Sequence, residues 1–250
     1  MLHLNLITKA QKRILTDAEA INALRLDALA DAELTQVASV GESTLTLDDA
    51  ALFSTGPVLL GDTVLTCIGK AGNVLTLSAA LTEEHLQGSS VSQHPDYAQA
   101  SMLISVAEAQ IKAFTRRALL TETYEAIFKS FRDDWLHDHK TRLPRPPLIR
   151  VDSVSYLDND LTRVDMTPDQ YKTSSDSQLG SIHFLVKPAG AAHVTVRFKA
   201  GYGENPSDLP DTFRYAAELI LPALYNSECK DCASELTQVN SLLYPYRVIL

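Results

Sequence analysis

The period of the hydrophobic pattern changes several times along the chain, and each change predicts a different element. In "LTDAEAINALRL", Leu15–Leu26, the apolar positions Ala20, Ile21 and Leu24 recur at three- and four-residue steps, as on one face of a helix. Thr16 and Glu19 have the spacing of a reciprocal capping box at its start. "ALADAELT", Ala28–Thr35, continues in helical composition and predicts a second, short helical fragment. From Gln36 to Gln93 the texture becomes alternating. "STLTLDD", "GDTVLTCI" and "NVLTLSAAL" are short runs rich in Val, Leu and Thr, divided by "STGP", "GKAGN" and "LQGSS". That is strand grammar with turn punctuation, and it predicts a small all-β barrel or sandwich over 36–93.

Helical spacing returns at "HPDYAQASMLISVAEAQIKAFTRRAL", where Leu103, Ala107, Ile111, Phe114 and Ala118 share a face and Asp96 stands at the capping position. The β module therefore reads as an insertion between two helical segments, a placement that costs little entropy at an exposed loop. Five strand candidates follow: "ETYEAIFKSF", "LIRVDSVSYLD", "QYKTSSD", "SIHFLVK" and "HVTVRFKAGY". "LPRPPL", residues 143–148, holds three prolines and is expected to cross the surface in extended form into the strand Ile149–Tyr156. A last helix starts near Pro210, carries Phe213, Ala217, Ile220 and Leu224 on one face, and meets a kink at Pro222. After Cys229 the chain is polar until "LLYPYRVIL".

The expected class is α+β: a small helical bundle with an antiparallel sheet or hairpin region, plus the inserted all-β module. The expected domains are 1–35 with 94–229, the insert 36–93, and a C-terminal tail 230–250.

Charge narrows the partners. Asp plus Glu number 31 against 22 Lys plus Arg, a net charge of -9. Such a chain is poorly suited to gripping free nucleic acid, although it can surround DNA without holding it. No run approaches the ~20 apolar residues that span a bilayer. "MLHLNLITKAQKR" lacks the order of a signal peptide, and three cysteines make no disulfide framework, so synthesis in a reducing cytoplasm is expected.

Candidate chemistry is sparse. Gly201-Tyr202-Gly203 follows a strand and precedes a helix, but it lacks the third glycine of a dinucleotide fingerprint and the Lys-Ser/Thr of a Walker loop. It reads as a structural turn in which glycine permits positive φ. Cys229 and Cys232 have CxxC spacing, yet Cys67 is the only further cysteine for a four-ligand zinc site, and His137 and His139 would complete one only through the fold. Asp133, Asp134, His137 and Asp138 around Trp135 form the densest polar cluster and read as a solvated connection. No GxSxG pattern occurs. The expectation is no enzyme, no cofactor and no bound metal.

The order of several segments carries a resemblance. "LTDAEAINALRL", "AEAQIKAFTRRALLTETYEAIF", "LPRPPLIRVDSVSYLD", "VTVRFKAGYGENPSDLPDTFRYAAELILPALYNSE" and "LLYPYR" together resemble the head–tail connector proteins of tailed bacteriophages, also called adaptor or head-completion proteins. The match covers about residues 14–34 and 96–250 and skips the β module, which the simplest members lack. It implies a structural virion protein made as a ring on the order of twelve copies, closed by heterologous contacts. Such a ring sits in the neck beneath the portal protein, joins the DNA-filled head to a tail or stopper protein, and lets DNA pass without sequence-specific binding; no membrane is involved. A tail-completion or stopper protein of the neck is the nearest alternative, and a secreted carbohydrate-binding protein a more distant one.

Two placements follow from this. The insert is expected to decorate the ring's periphery. The C-terminal tail, with Leu242, Leu243, Tyr244, Pro245, Tyr246, Arg247, Val248, Ile249 and Leu250 almost wholly apolar or aromatic, is expected to dock in extended form on the portal or on a neighbouring subunit.

Overall fold

The structure, a computed structural model, describes residues 3–130, 140–175, 179–186, 192–226 and 232–248. In chain order the elements are β1 (His3–Thr8), α1 (Asp17–Leu24), β2 (Ala30–Glu33), β3 (Thr44–Thr46), β4 (Gly56–Leu60), β5 (Thr63–Ala71), β6 (Val74–Leu77), β7 (Ser90–Gln93) and α2 (Tyr97–Thr115). There follow β8 (Glu122–Ser130), β9 (Lys140–Arg142), β10 (Leu148–Leu157), β11 (Arg163–Asp165), β12 (Tyr171–Ser175), β13 (Gly180–Phe184), β14 (Ala192–Ala200), α3 (Asp211–Tyr225) and α4 (Cys232–Leu243). The fold is α+β, as expected. The chain divides into two units, one formed by 1–14, 109–214 and 240–250, the other by 15–108 and 215–239.

In the second unit β2-β7-β4-β5-β6-β3 form one antiparallel sheet. It curls until its two edge strands meet: Leu34 bridges Leu47, and the Thr35 amide donates to the Thr46 carbonyl at 2.9 Å. Leu45, Val58, Leu60, Leu75 and Val91 alternate inward and are fully buried, which is what the alternating runs encode. The Asp48 carboxylate accepts the amides of Glu33 (2.9 Å) and Asp49 (2.8 Å) beside the closure. The Glu33 amide above all, then that of Asp49, holds its pKa below the ordinary carboxylate value.

The helical fragment expected at 28–35 is instead strand β2. Ala30 and Ala32 are buried while Asp31 and Glu33 are exposed, a period of two, and the segment pairs with β7. Its Ala/Glu/Leu content favours a helix intrinsically, but pairing and burial of the alanines decide the matter. The β sheet therefore begins at Ala30, earlier than the alternating texture signals.

Helix α1 opens as its sequence dictates. Thr16 Oγ1 accepts the Glu19 amide and Glu19 accepts the Thr16 amide, so both halves of the capping box are present. The buried Asp17 carboxylate accepts the Val64 amide at 2.7 Å, and Ile21 packs with Tyr97, Ala100, Leu59 and Val64. Asp96 stands just before α2 as expected, and its carboxylate accepts the Tyr225 hydroxyl at 2.6 Å.

The first unit holds a five-stranded antiparallel sheet, β1-β8-β14-β10-β11, and a three-stranded one, β12-β13-β9. Side chains of both sheets share one core in which Ala126, Val196, Phe198, Val154, Ile182 and Phe184 are buried. All five strand candidates are strands; β1, β9 and β11 were not foreseen. "LPRPPL" does not cross the surface. Leu143, Pro144, Pro146 and Leu148 are buried, the Pro146 carbonyl accepts the Ala118 amide, and the Pro147 carbonyl accepts the Gly201 amide at 2.9 Å. Proline lacks a donor but keeps its acceptor, so a proline run can be buried wherever neighbouring amides need carbonyls.

Candidate interaction site

The strand β14 ends at Ala200, and the turn that follows is fixed from both sides. Gly201 has φ +139°, a conformation open in practice only to glycine, and a Cβ there would strike the Leu120 carbonyl. At Gly203 a Cβ would strike the Asp208 carboxylate, which is held in place by the Asn205 amide at 2.8 Å. The amides of Gly201 and Tyr202 donate to the carbonyls of Pro147 and Leu119, and the Gly203 carbonyl accepts the Thr121 amide. These amides are therefore engaged within the chain, and the turn works as a structural junction, as its sequence suggests.

Around that junction the chain's C-terminal segment is seated. Leu243, at the end of α4, and Val248 are buried. Between them Tyr244–Tyr246 make a single 3-10 turn. The Tyr246 ring lies 4.7 Å from that of Phe213, which in turn lies 5.4 Å from Tyr202. The Tyr246 carbonyl accepts Arg117 Nε at 2.6 Å, and the Val248 amide donates to the Thr115 carbonyl at 2.9 Å. The Arg247 guanidinium lies over the Phe114 ring at 5.3 Å. Burial raises the Tyr202 phenol above its ordinary pKa, an effect that the neighbouring Arg117 opposes.

This corrects the extended tail expected after residue 242. Helix α4 runs through Leu242 and Leu243, in a stretch whose polar composition gave no helical signal, and Pro245 falls in a tight turn where φ near -65° suits it. Arg247 lies against an aromatic face. Tyr244, Pro245 and Arg247 stay exposed, with Tyr244 at 61%. Ile249 and Leu250 lie outside the described residues.

A part-buried ion pair joins α2 to the start of β8. Lys112 Nζ lies 2.8 Å from the buried Glu122 carboxylate, which also accepts the Tyr124 hydroxyl, and Arg145 Nη1 donates to the Lys112 carbonyl at 2.8 Å. Desolvation first, then the Glu122 hydrogen bond, pushes the Tyr124 phenol far upward. Arg117 was missed by sequence reasoning. "TRRAL" looks like an ordinary basic helix end, and nothing local marks one arginine as buried against a carbonyl 129 residues away.

The other candidates are not brought together among the described residues. Asp133, Asp134, Trp135, His137, Asp138, His139 and Cys229 lie outside the described residues, and Cys232 begins α4 without a described side chain. Cys67 is buried in the curled sheet. Among the described residues no three His, Cys, Asp or Glu side chains converge as metal ligands, and no helix is long and apolar enough to cross a membrane.

No family model and no curated protein matches the sequence. Solved structures do match. A chain from the neck of an empty gene transfer agent (GTA) particle, computed with C6 symmetry, aligns with a TM-score of 0.57 at 17% identity, over 99% of this chain and 96% of that one. A chain from the virion of a native GTA particle aligns with a TM-score of 0.52 at 22% identity, over 63% and 80%. At these identities the likeness is one of fold.

Proposed function

We propose that this chain is a structural subunit of the neck of a phage-like particle, one copy in a ring beneath the portal that joins the DNA-filled head to the tail. The observation that carries the reading is the end-to-end likeness to a neck chain of the GTA particle, which does not stop at the curled sheet. The ordered connector-like segments in the sequence support the same assignment independently. Nothing in the described geometry asks for catalysis, and the engaged amides of the Gly201–Gly203 turn suit a scaffold.

Self-association in a closed ring is supported by α2. Its exposed positions Ala98, Gln99, Met102, Ser105, Val106, Ala109, Gln110 and Ala113 form a face without a single charge, with Met102 at 71% exposure. A surface helix normally presents charged residues to water, so an uncharged stripe of this length suits packing against a second copy. The six-fold symmetry used for the GTA neck accommodates six or twelve copies, and a heterologous contact closes such a ring.

The C-terminal segment 242–250 is proposed to dock on the portal or on a neighbour beside it. Leu243 and Val248 anchor it on its own fold while Tyr244, Pro245 and Arg247 present the contact. The curled sheet is proposed to project outward and contribute little to ring closure.

Deleting the gene in a particle-producing cell tests this. The reading predicts DNA-filled heads and free tails that do not join. Heads that release their DNA although the tail is attached would instead indicate a stopper, and complete particles would overturn the reading.

A further inference from the structure

At one end of the five-stranded sheet lies a cavity of about 360 Å³, within the range of small-ligand pockets. Its floor is a cross-strand row: Thr8 of β1 pairs with Thr123 of β8, which pairs with Lys199 of β14. Directly paired residues face the same way, so two hydroxyls and an ammonium line up on one face. The segment after β1 brings Lys9 and Lys12 to the rim, and Lys12 Nζ donates to Asn205 Oδ1 at 2.8 Å, tying that segment to the loop beyond the glycine turn. One side of this open pocket is thus tied by a contact already formed.

Three lysines line it against one carboxylate, Glu204, in a chain of net charge -9. Among the described residues neither Lys9 nor Lys199 has an ion-pair partner. Such a set offers ammonium and hydroxyl donors from several directions and few acceptors. A tetrahedral oxyanion, with oxygens pointing several ways, uses it better than a planar carboxylate does.

We infer that this cavity binds a phosphate group, carried either by free inorganic phosphate or pyrophosphate or by the backbone of nucleic acid. Recognition is through lysine and threonine side chains directed at phosphate oxygens, contacts that carry no base information. The inference stands on the pocket alone and does not depend on the ring reading.

The test uses the full chain at low salt, with pyrophosphate followed by calorimetry and a labelled short DNA duplex followed by anisotropy. The probes are compared between wild type, the triple variant Lys9→Gln, Lys12→Gln, Lys199→Gln, the control Lys172→Gln on exposed β12, and Glu204→Gln. The triple variant weakens pyrophosphate binding by about tenfold or more, as expected for several partly exposed charges, whereas Lys172→Gln changes it by less than about twofold. Glu204→Gln strengthens it. Parallel loss of duplex binding in the triple variant assigns the phosphate to nucleic acid, and loss for pyrophosphate alone assigns it to the free ion. The inference is overturned if pyrophosphate does not bind, if the control weakens it as much as the triple variant, if Glu204→Gln leaves it unchanged, or if a glutamate-rich peptide binds as tightly.

Discussion

Replacing Arg117 by methionine removes the guanidinium that ties the C-terminal segment to the end of α2, while keeping an unbranched side chain of similar reach. Arg117 is 5% exposed, and its Nε donates to the Tyr246 carbonyl at 2.6 Å. A hydrogen bond from a charged donor contributes ~1.5–3 kcal/mol, and a part-buried carbonyl left without its donor adds to the loss, so the expected cost is about 2–3 kcal/mol. For a chain of this size ~1 kcal/mol corresponds to roughly 2–4 °C, which gives a fall in Tm of about 4–12 °C. Arg150→Met is the control: its partner Asp152 lies at 2.8 Å, but the arginine is 62% exposed, and such pairs contribute at most ~1 kcal/mol. Differential scanning calorimetry measures both. Carboxypeptidase digestion followed by mass spectrometry reports the segment itself, which should be trimmed past Val248 in Arg117→Met and protected in wild type. Equal melting and equal protection would show that Arg117 does not hold the segment, and the seat described above would be wrong.

Further outcomes are specific. Gly201→Ala forces a Cβ into the Leu120 carbonyl at φ +139°, and should cost about 3 kcal/mol or more by chemical denaturation, against about 1–2 kcal/mol for Gly72→Ala, where φ is +59° with open space around it. Asp48 has a depressed pKa, so its contribution is present above the ordinary value of 3.8 and is lost as pH falls through the folded value. The Tm difference between wild type and Asp48→Ala should therefore be full near neutrality and vanish in strong acid; a difference that persists there would exclude the carboxylate as its source. Met102→Glu with Val106→Glu should melt within ~0.5 kcal/mol of wild type yet fail to enter particles, and normal incorporation would remove α2 from the subunit contact.

What the sequence disclosed and what it hid have physical reasons. Thr16 and Glu19 act on each other three residues apart, so the cap of α1 is local information and is legible. The same holds for the alternating runs of β8 and β14, whose buried faces largely follow period two, whereas the bulges of β10 break its alternation. β2 was hidden because Ala30 and Ala32 have helical propensity, and only the partner strand β7, some 60 residues on, makes their alternation matter. β1 and β11 are edge strands with largely exposed side chains, such as Leu6 at 51%, and β9 is an edge strand of three residues, so they leave a weak pattern. The C-terminal segment was legible as apolar but not as seated. Its burial depends on Phe213, Thr115 and Arg117, which the fold brings to it from two distant stretches. The lysine pocket was hidden likewise, since Lys9, Lys12 and Lys199 meet only through strand register.

A cryo-electron reconstruction of the particle neck, made with the chain carrying a small fused marker on the loop at Gly72, tests the central claim most directly. The account predicts a closed ring of this chain between portal and tail, with the markers at the ring's outer rim. A particle that lacks the chain, or holds it in the capsid shell or the tail tip, would contradict it.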